Sequence, residues 1–138
     1  MMIRTLLVAA AILSLSACGK SGEQSAAADQ STAAPVETVA LSGEAIFKRC
    51  TACHKIEAGA PNGLGPNLHG VSGRAIASVA GFSYSTALKS KGGVWDDASL
   101  DGYIASPAKW APGTKMAFPG IGDAGERKAL IDYLKTQK

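Results

Sequence analysis

A chain of 138 residues holds one domain of ordinary size and leaves little room for a second. Charge is modest, with 18% of residues charged and a formal net charge of +3, which excludes the dense basic tract that nucleic-acid binding needs. All of the excess lies in residues 41–138, where twelve Lys or Arg face eight Asp or Glu, about +4, a balance suited to an acidic protein partner.

Residues 1–17 fall outside that domain. MMIR is a basic leader, TLLVAAAILSLS a short apolar run, and the segment closes on LSAC at Cys18. The run is too short to span a bilayer, so it reads as a secretory signal. LSAC, Leu15 to Cys18, resembles the lipobox of bacterial lipoproteins, which implies cleavage before Cys18 and acylation of its thiol. The alternative is an ordinary signal peptide with a chance cysteine at its edge, but a free thiol is awkward in an oxidising compartment. Residues 18–40 are rich in Ala, Ser, Gln and Gly and contain no aromatic residue. Such a segment cannot bury enough surface to offset its ordering entropy, so it is expected to be a disordered tether. Its twenty-one residues after Cys18 and before Ala40 would span about 25 Å. Residues 41–138 are therefore expected on the periplasmic side of a bacterial membrane, lipid-anchored through Cys18.

Three helices are expected in the folded segment. SGEAIFKRC has Ser42 as its N-cap and brings Ala45, Ile46 and Cys50 toward one side, with Phe47 beside them. Asp97 can cap a helix through ASLDGYIA, which Pro107 stops. DAGERKALIDYLKTQ opens on Asp123 with Glu126 three residues later, a capping-box spacing, and carries an apolar stripe of Leu130, Ile131, Tyr133 and Leu134. Turn-rich stretches lie between them, GAPNGLGPNLHGVSG, KGGVW and APGTKMAFPG among them. No strand-like alternation of any length appears, so the class is all-α with long loops. Three short helices and loops of this kind make a poor core by themselves. Something else should fill the centre.

Cys50-Thr51-Ala52-Cys53-His54 is the C-x-x-C-H pattern of covalent c-type haem attachment. Two thiols three positions apart can each add to one vinyl group on the same porphyrin edge, and the next residue presents an imidazole to the iron. A disulfide between Cys50 and Cys53 would leave His54 without a role. A thioredoxin-like redox pair normally accompanies a βαβ pattern, which this chain lacks. A zinc site needs four ligands, and the domain offers only two Cys and two His. Haem also answers the shortage of core. For the sixth position on the iron the candidates are Met116, His69, a lysine, or nothing. Met116 is the one methionine left once the leader is removed, and its thioether favours reduced iron and a higher potential. His69 would give a bis-His haem of lower potential.

Residues 41–138 resemble, almost end to end, a class I cytochrome c of the mitochondrial and bacterial small soluble type. The matching pieces are GEAIFKRCTACH, GPNLHGVSGR, GFSYSTALKSKGGVW, YIASPAKWAPGTKMAF and ERKALIDYLK, in that order. The resemblance implies the class I cytochrome c fold, with short helices and long loops wrapped around one haem c. By position, Cys50 and Cys53 match the thioether cysteines, His54 the proximal ligand and Met116 the distal one. Pro66 matches the proline whose carbonyl accepts the second imidazole N–H. Tyr84 and Trp95 match side chains that bond a buried propionate, and Arg74 a charge near it. Tyr103 and Thr114 match residues on the methionine side, and Phe118 the aromatic that closes the pocket. Gly43 and Phe47 match first-helix positions that cross the last helix near Tyr133. Trp110 and Phe82 read as core aromatics, and His69 as a loop residue. Lys55, Lys89, Lys91, Lys109 and Lys115 could form a docking rim. Departures are few: two residues separate Phe47 from Cys50, Pro119 follows Phe118, and a lipid anchor with a tether precedes the domain.

The function this implies is one-electron transfer rather than enzyme catalysis, by a monomer whose iron cycles between Fe(II) and Fe(III). Partners would be respiratory or photosynthetic redox proteins: a quinol-oxidising complex as donor, a terminal oxidase or reductase as acceptor. The anchor favours local transfer between membrane-bound partners. A haem enzyme or gas sensor would instead need an open sixth position.

Overall fold

A computed structural model describes residues 41–138. The leader, the tether and Cys18 lie outside the described residues. Helix α1 is Gly43–Phe47, started by Ser42, whose Oγ accepts from the Ala45 N–H at 3.2 Å. Beyond it the chain does not straighten. The Cys50 N–H donates to the Phe47 carbonyl at 2.7 Å, and the Cys53 and His54 N–H groups return to the Cys50 carbonyl at 3.1 and 2.9 Å. CTACH therefore sits on consecutive tight turns.

Helix α5, Ala124–Thr136, is capped by Asp123, whose Oδ1 accepts from the Glu126 N–H at 2.7 Å. Only this half of the expected capping box forms. The Glu126 carboxylate instead takes both guanidinium nitrogens of Arg49, at 2.7 and 3.1 Å, and so joins the end of α1 to the start of α5. The two helices cross at Gly43, where a Cβ would collide with the Ala129 carbonyl and the Tyr133 Cβ. Glycine permits that approach, and Phe47 then meets Tyr133 at 5.6 Å between ring centroids.

Helix α3, Asp97–Ala105, packs against α5. Its cap is Asp96, not Asp97: Asp96 Oδ1 accepts from the Ser99 N–H at 2.7 Å. Asp97 lies in the first turn and pairs with Lys135 of α5 at 2.8 Å. Pro107 ends α3, as expected, but also opens a further turn, α4 (Pro107–Trp110), where its missing N–H costs nothing. A second short helix, α2 (Thr86–Lys89), begins at Ser85, which bonds the Leu88 N–H. Neither was expected from the sequence. No strand occurs among the described residues, only a bridge between Ala75 and Val94.

The remaining chain is loop, fastened by side chains to its own backbone. Asn67 donates to the carbonyls of Glu57 and Ala60 at 2.9 and 2.8 Å, while its backbone N–H bonds Asn62 Oδ1 at 2.9 Å. Arg74 donates to the carbonyls of His69 and Asn67 at 2.9 and 3.1 Å. Helices α1, α3 and α5 supply Ile46, Phe47, Leu100, Tyr103, Ile104, Leu130, Ile131 and Leu134 to the core, and the loops close over what these leave open.

Candidate functional site

What they leave open is a cavity of about 490 Å³, walled mainly by apolar groups. That volume lies within the usual range for a small-molecule or cofactor site. CTACH reaches it from the turns after α1, with Cys50 half-buried, Cys53 exposed and both thiols free. His54 lies on its wall, with Nδ1 bonded to the Pro66 carbonyl at 2.8 Å. Burial pushes the His54 pKa below its ordinary value, opposed by that bond. The Pro66 carbonyl can only accept, so Nδ1 carries the proton, and in the neutral ring, which burial favours, Nε2 keeps its lone pair. Gly65 makes room for the ring, since a Cβ there would stand 2.6 Å from Nδ1 and 2.7 Å from Nε2.

From later in the chain come Arg74, Tyr84, Trp95, Tyr103, Thr114, Met116 and Phe118, all lining the same cavity. The Tyr103 hydroxyl and Thr114 Oγ1 lie 2.9 Å apart, and the Met116 N–H donates to Thr114 Oγ1 at 3.3 Å. Burial raises the pKa of the Tyr84 and Tyr103 phenols, and of the Cys50 thiol, which Arg49 partly offsets.

Of the residues from Cys50 onward that the sequence singled out for the site, Cys50, Cys53, His54, Pro66, Arg74, Tyr84, Trp95, Tyr103, Thr114, Met116 and Phe118 line one cavity. His69 does not line it: its carbonyl accepts from Arg74 and its Nδ1 lies 3.2 Å from the Ile56 carbonyl. Sequence reasoning missed much of the apolar wall, including Leu68, Leu88, Leu100 and Ile104. Leu130 and Leu134 had a signal, one turn apart on α5, which marked them as core but not as cavity. Leu68, in a loop, and Leu88, in the four-residue α2, carried none.

The chemistry of this cavity matches a haem. An apolar hollow suits the macrocycle, and two free thiols on adjacent turns suit thioether formation. Arg74 adds a sharper sign: its Nε is buried without a hydrogen-bond partner. Burial also lowers the Arg74 pKa. A cation held this way calls for an anion inside the cavity, and a propionate is one.

The cytochrome c family matches residues 40–138. The chain belongs to the cytochrome c family. Among relatives, it is 46% identical over 96 residues to cytochrome c2 of Rhodoblastus acidophilus, a match covering 70% of this chain and 90% of that protein. It is 48% identical over 95 residues to cytochrome c of Nigella damascena, covering 68% and 86%. Among solved structures, cytochrome cH from Methylobacterium extorquens superposes with a TM-score of 0.64 at 46% identity, covering 68% of this chain and 94% of that one. The class I cytochrome c fold, one covalent haem c joined through Cys50 and Cys53, and the work of an electron carrier follow from this membership. Its partners are redox proteins.

Proposed function

We propose that this cytochrome c is a membrane-tethered carrier whose haem iron is held by His54 and Met116. The observation that carries the ligand assignment is that both side chains, far apart in sequence, lie on one cavity whose polar fittings serve them. Pro66 orients His54 and raises its basicity through the 2.8 Å bond. Tyr103 and Thr114 hold the backbone at Met116. Arg74, Tyr84 and Trp95 receive the propionates, and Phe118 closes the hollow. Bound there, the haem supplies a one-electron Fe(III)/Fe(II) couple, whose potential a methionine sulfur raises. The chain's own contribution is rigidity: a turn-bound histidine and a loop pinned at Thr114 change little between oxidation states.

Docking is assigned to the basic surface. Lys55, Lys89, Lys91, Lys109 and Lys115 are all exposed, and Lys115 stands at the cavity itself, donating to the Ser83 carbonyl and hydroxyl at 3.2 and 3.3 Å. Such charge speeds encounter with an acidic partner while keeping affinity low. Donor and acceptor are a quinol-oxidising complex and a terminal oxidase or reductase, or their photosynthetic counterparts. Residues 1–17 serve as the lipoprotein signal, 18–40 as the tether, and 41–138 as the monohaem domain, held as a monomer on the periplasmic side through acylated Cys18.

The test is an optical redox titration of purified protein with and without an added iron ligand such as cyanide. Met116→Ala is expected to lower the midpoint potential and to admit the ligand. An unchanged potential overturns the Met116 assignment. For the anchor, Cys18→Ser is expected to move haem absorbance from the membrane fraction to the soluble one.

A further inference from the structure

One reactive dipeptide beside the haem site has no part in electron transfer. Asn62-Gly63 lies in the turn-rich stretch between His54 and Arg74. Asparagine before glycine is a common turn pair, and it is also chemically labile. Glycine has no side chain to shield its amide nitrogen, so that nitrogen can attack the asparagine Cγ. In the fold, every polar group of that reaction is already engaged. Asn62 Oδ1 accepts from the Asn67 N–H at 2.9 Å, and Asn62 Nδ2 donates to the Ala80 carbonyl at 3.3 Å. The Gly63 N–H donates to the Gly65 carbonyl at 2.9 Å, and the Gly65 N–H to the Cys53 carbonyl at 2.8 Å.

The turn also has no slack. A Cβ at Gly63 would stand 2.7 Å from the Cys53 carbonyl oxygen, and one at Gly65 would fall on the His54 ring. Neither glycine has a positive φ, so close approach, not backbone conformation, is what asks for glycine here. Closing a ring between Asn62 Cγ and Gly63 N consumes the donors of two of these bonds and lifts a turn that rests on CTACH. In an unfolded chain none of these restraints exists.

We propose that Asn62 is a deamidation site that the folded, haem-filled domain keeps closed and the unfolded chain leaves open. The reaction needs only solvent. Gly63 N loses its proton and bonds to Asn62 Cγ, the bond from Cγ to Nδ2 breaks, and ammonia leaves with that proton. Water then opens the cyclic imide, at Cγ to give aspartate or at the backbone carbonyl to give isoaspartate. In sum, one water is consumed, one ammonia is released, and an amide becomes a carboxylate. Aspartate still accepts from Asn67 but no longer donates to the Ala80 carbonyl, which its charge now faces. Isoaspartate runs the main chain through Cβ and Cγ, adding a methylene to a turn with no space for it. Chains that wait unfolded before haem fills their core are thereby marked irreversibly. The reaction uses neither axial ligand, so the redox titration above and the test below fail independently.

The experiment incubates holoprotein in buffer and in guanidinium chloride at the same mildly alkaline pH. Trypsin, cutting after Lys55 and Arg74, then releases one peptide that carries both Asn62 and Asn67. Mass spectrometry with electron-transfer fragmentation locates the gained acid and separates aspartate from isoaspartate. In denaturant Asn62 is expected to convert, mostly to isoaspartate, while Asn67, followed by leucine, stays an amide. In buffer the conversion at Asn62 should be at least about tenfold slower, because it waits on local opening of the turn. Converted holoprotein, separated by ion exchange and returned to buffer, should unfold at a lower denaturant concentration than unconverted protein. Equal rates in the two media overturn the proposal, as does an amide retained at Asn62 in denaturant or equal conversion at Asn67. An unchanged unfolding midpoint in the converted fraction overturns the part assigned to the bond between Asn62 and Ala80.

Discussion

Gly43 sets how closely α1 crosses α5, and replacing it by alanine tests whether that closeness stabilises the fold. A methyl there would fall on the Ala129 carbonyl oxygen and stand 2.5 Å from the Tyr133 Cβ and 2.8 Å from the Ala129 carbonyl carbon. None of these is the far end of a flexible side chain, so the helix itself must move. Forcing an extra methyl into a packed contact costs about 1–3 kcal/mol. Loosening the Phe47–Tyr133 contact, now 5.6 Å, adds part of the ~0.5–1.5 kcal/mol that such a pair contributes. Against this, alanine is the better helix former by up to about 1 kcal/mol in a helix interior, and by less at the first helical position. The net loss comes to about 2 kcal/mol, weighting the clash toward its upper range. For a domain of this size that lowers Tm by about 10 °C. Urea denaturation of the holoprotein, followed by circular dichroism, should show a lower midpoint at unchanged slope. Gly122→Ala is the control, because a Cβ there meets nothing within 4 Å. If the Gly43 and Gly122 variants melt together, close approach is not what Gly43 provides.

Gly65→Ala places a methyl against the His54 ring, within 2.7 Å of both ring nitrogens, and should lengthen the His54–Pro66 bond. A lowered Soret intensity and a shifted midpoint potential, with haem still covalently attached, are the expected signs; a wild-type spectrum and potential would refute it. The buried phenols predict an alkaline limit. Burial raises the Tyr84 and Tyr103 pKa values in the folded state, so above about pH 10 the unfolded chain loses protons that the folded one keeps, and stability falls as pH rises. Tyr103→Phe should flatten that alkaline slope, and an unchanged slope in urea titrations at pH 9 to 11 would count against it.

The helices that proved legible in the sequence are those with local causes. Ser42 and Asp123 cap as their spacing implies, because a cap needs only its own side chain and an N–H three residues on. Asp96 and Asp97 defeated that logic by one position, since either can cap; α5 decides it by drawing Asp97 to Lys135. Glu126 shows the same override, leaving its capping box for Arg49. Helices α2 and α4 are four residues each, too short for any apolar period to form. In the site, CTACH was legible because covalent attachment dictates its spacing. Leu68 and Leu88 were not, because an apolar wall asks only for bulk and any leucine supplies it.

Long loops around a small helical frame raise one question that the cofactor alone does not answer: what orders them. Asn62, Asn67 and Arg74 do much of it, each bonding backbone that no helix or strand satisfies. Arg74 joins this scaffold to the site. Two of its nitrogens tie down the carbonyls of His69 and Asn67, and the third, Nε, is buried with no hydrogen-bond partner. A lysine could reach one of these carbonyls but could not hold both in a planar fork and still present a donor elsewhere. Ordering the loop through Arg74 thus also puts a cation on the cavity wall, where an anionic group of a bound cofactor would pair with it. Order in the loop and occupancy of the cavity are thus coupled through one side chain. The stability of residues 54–74 should depend on the cofactor as strongly as the potential depends on the loop.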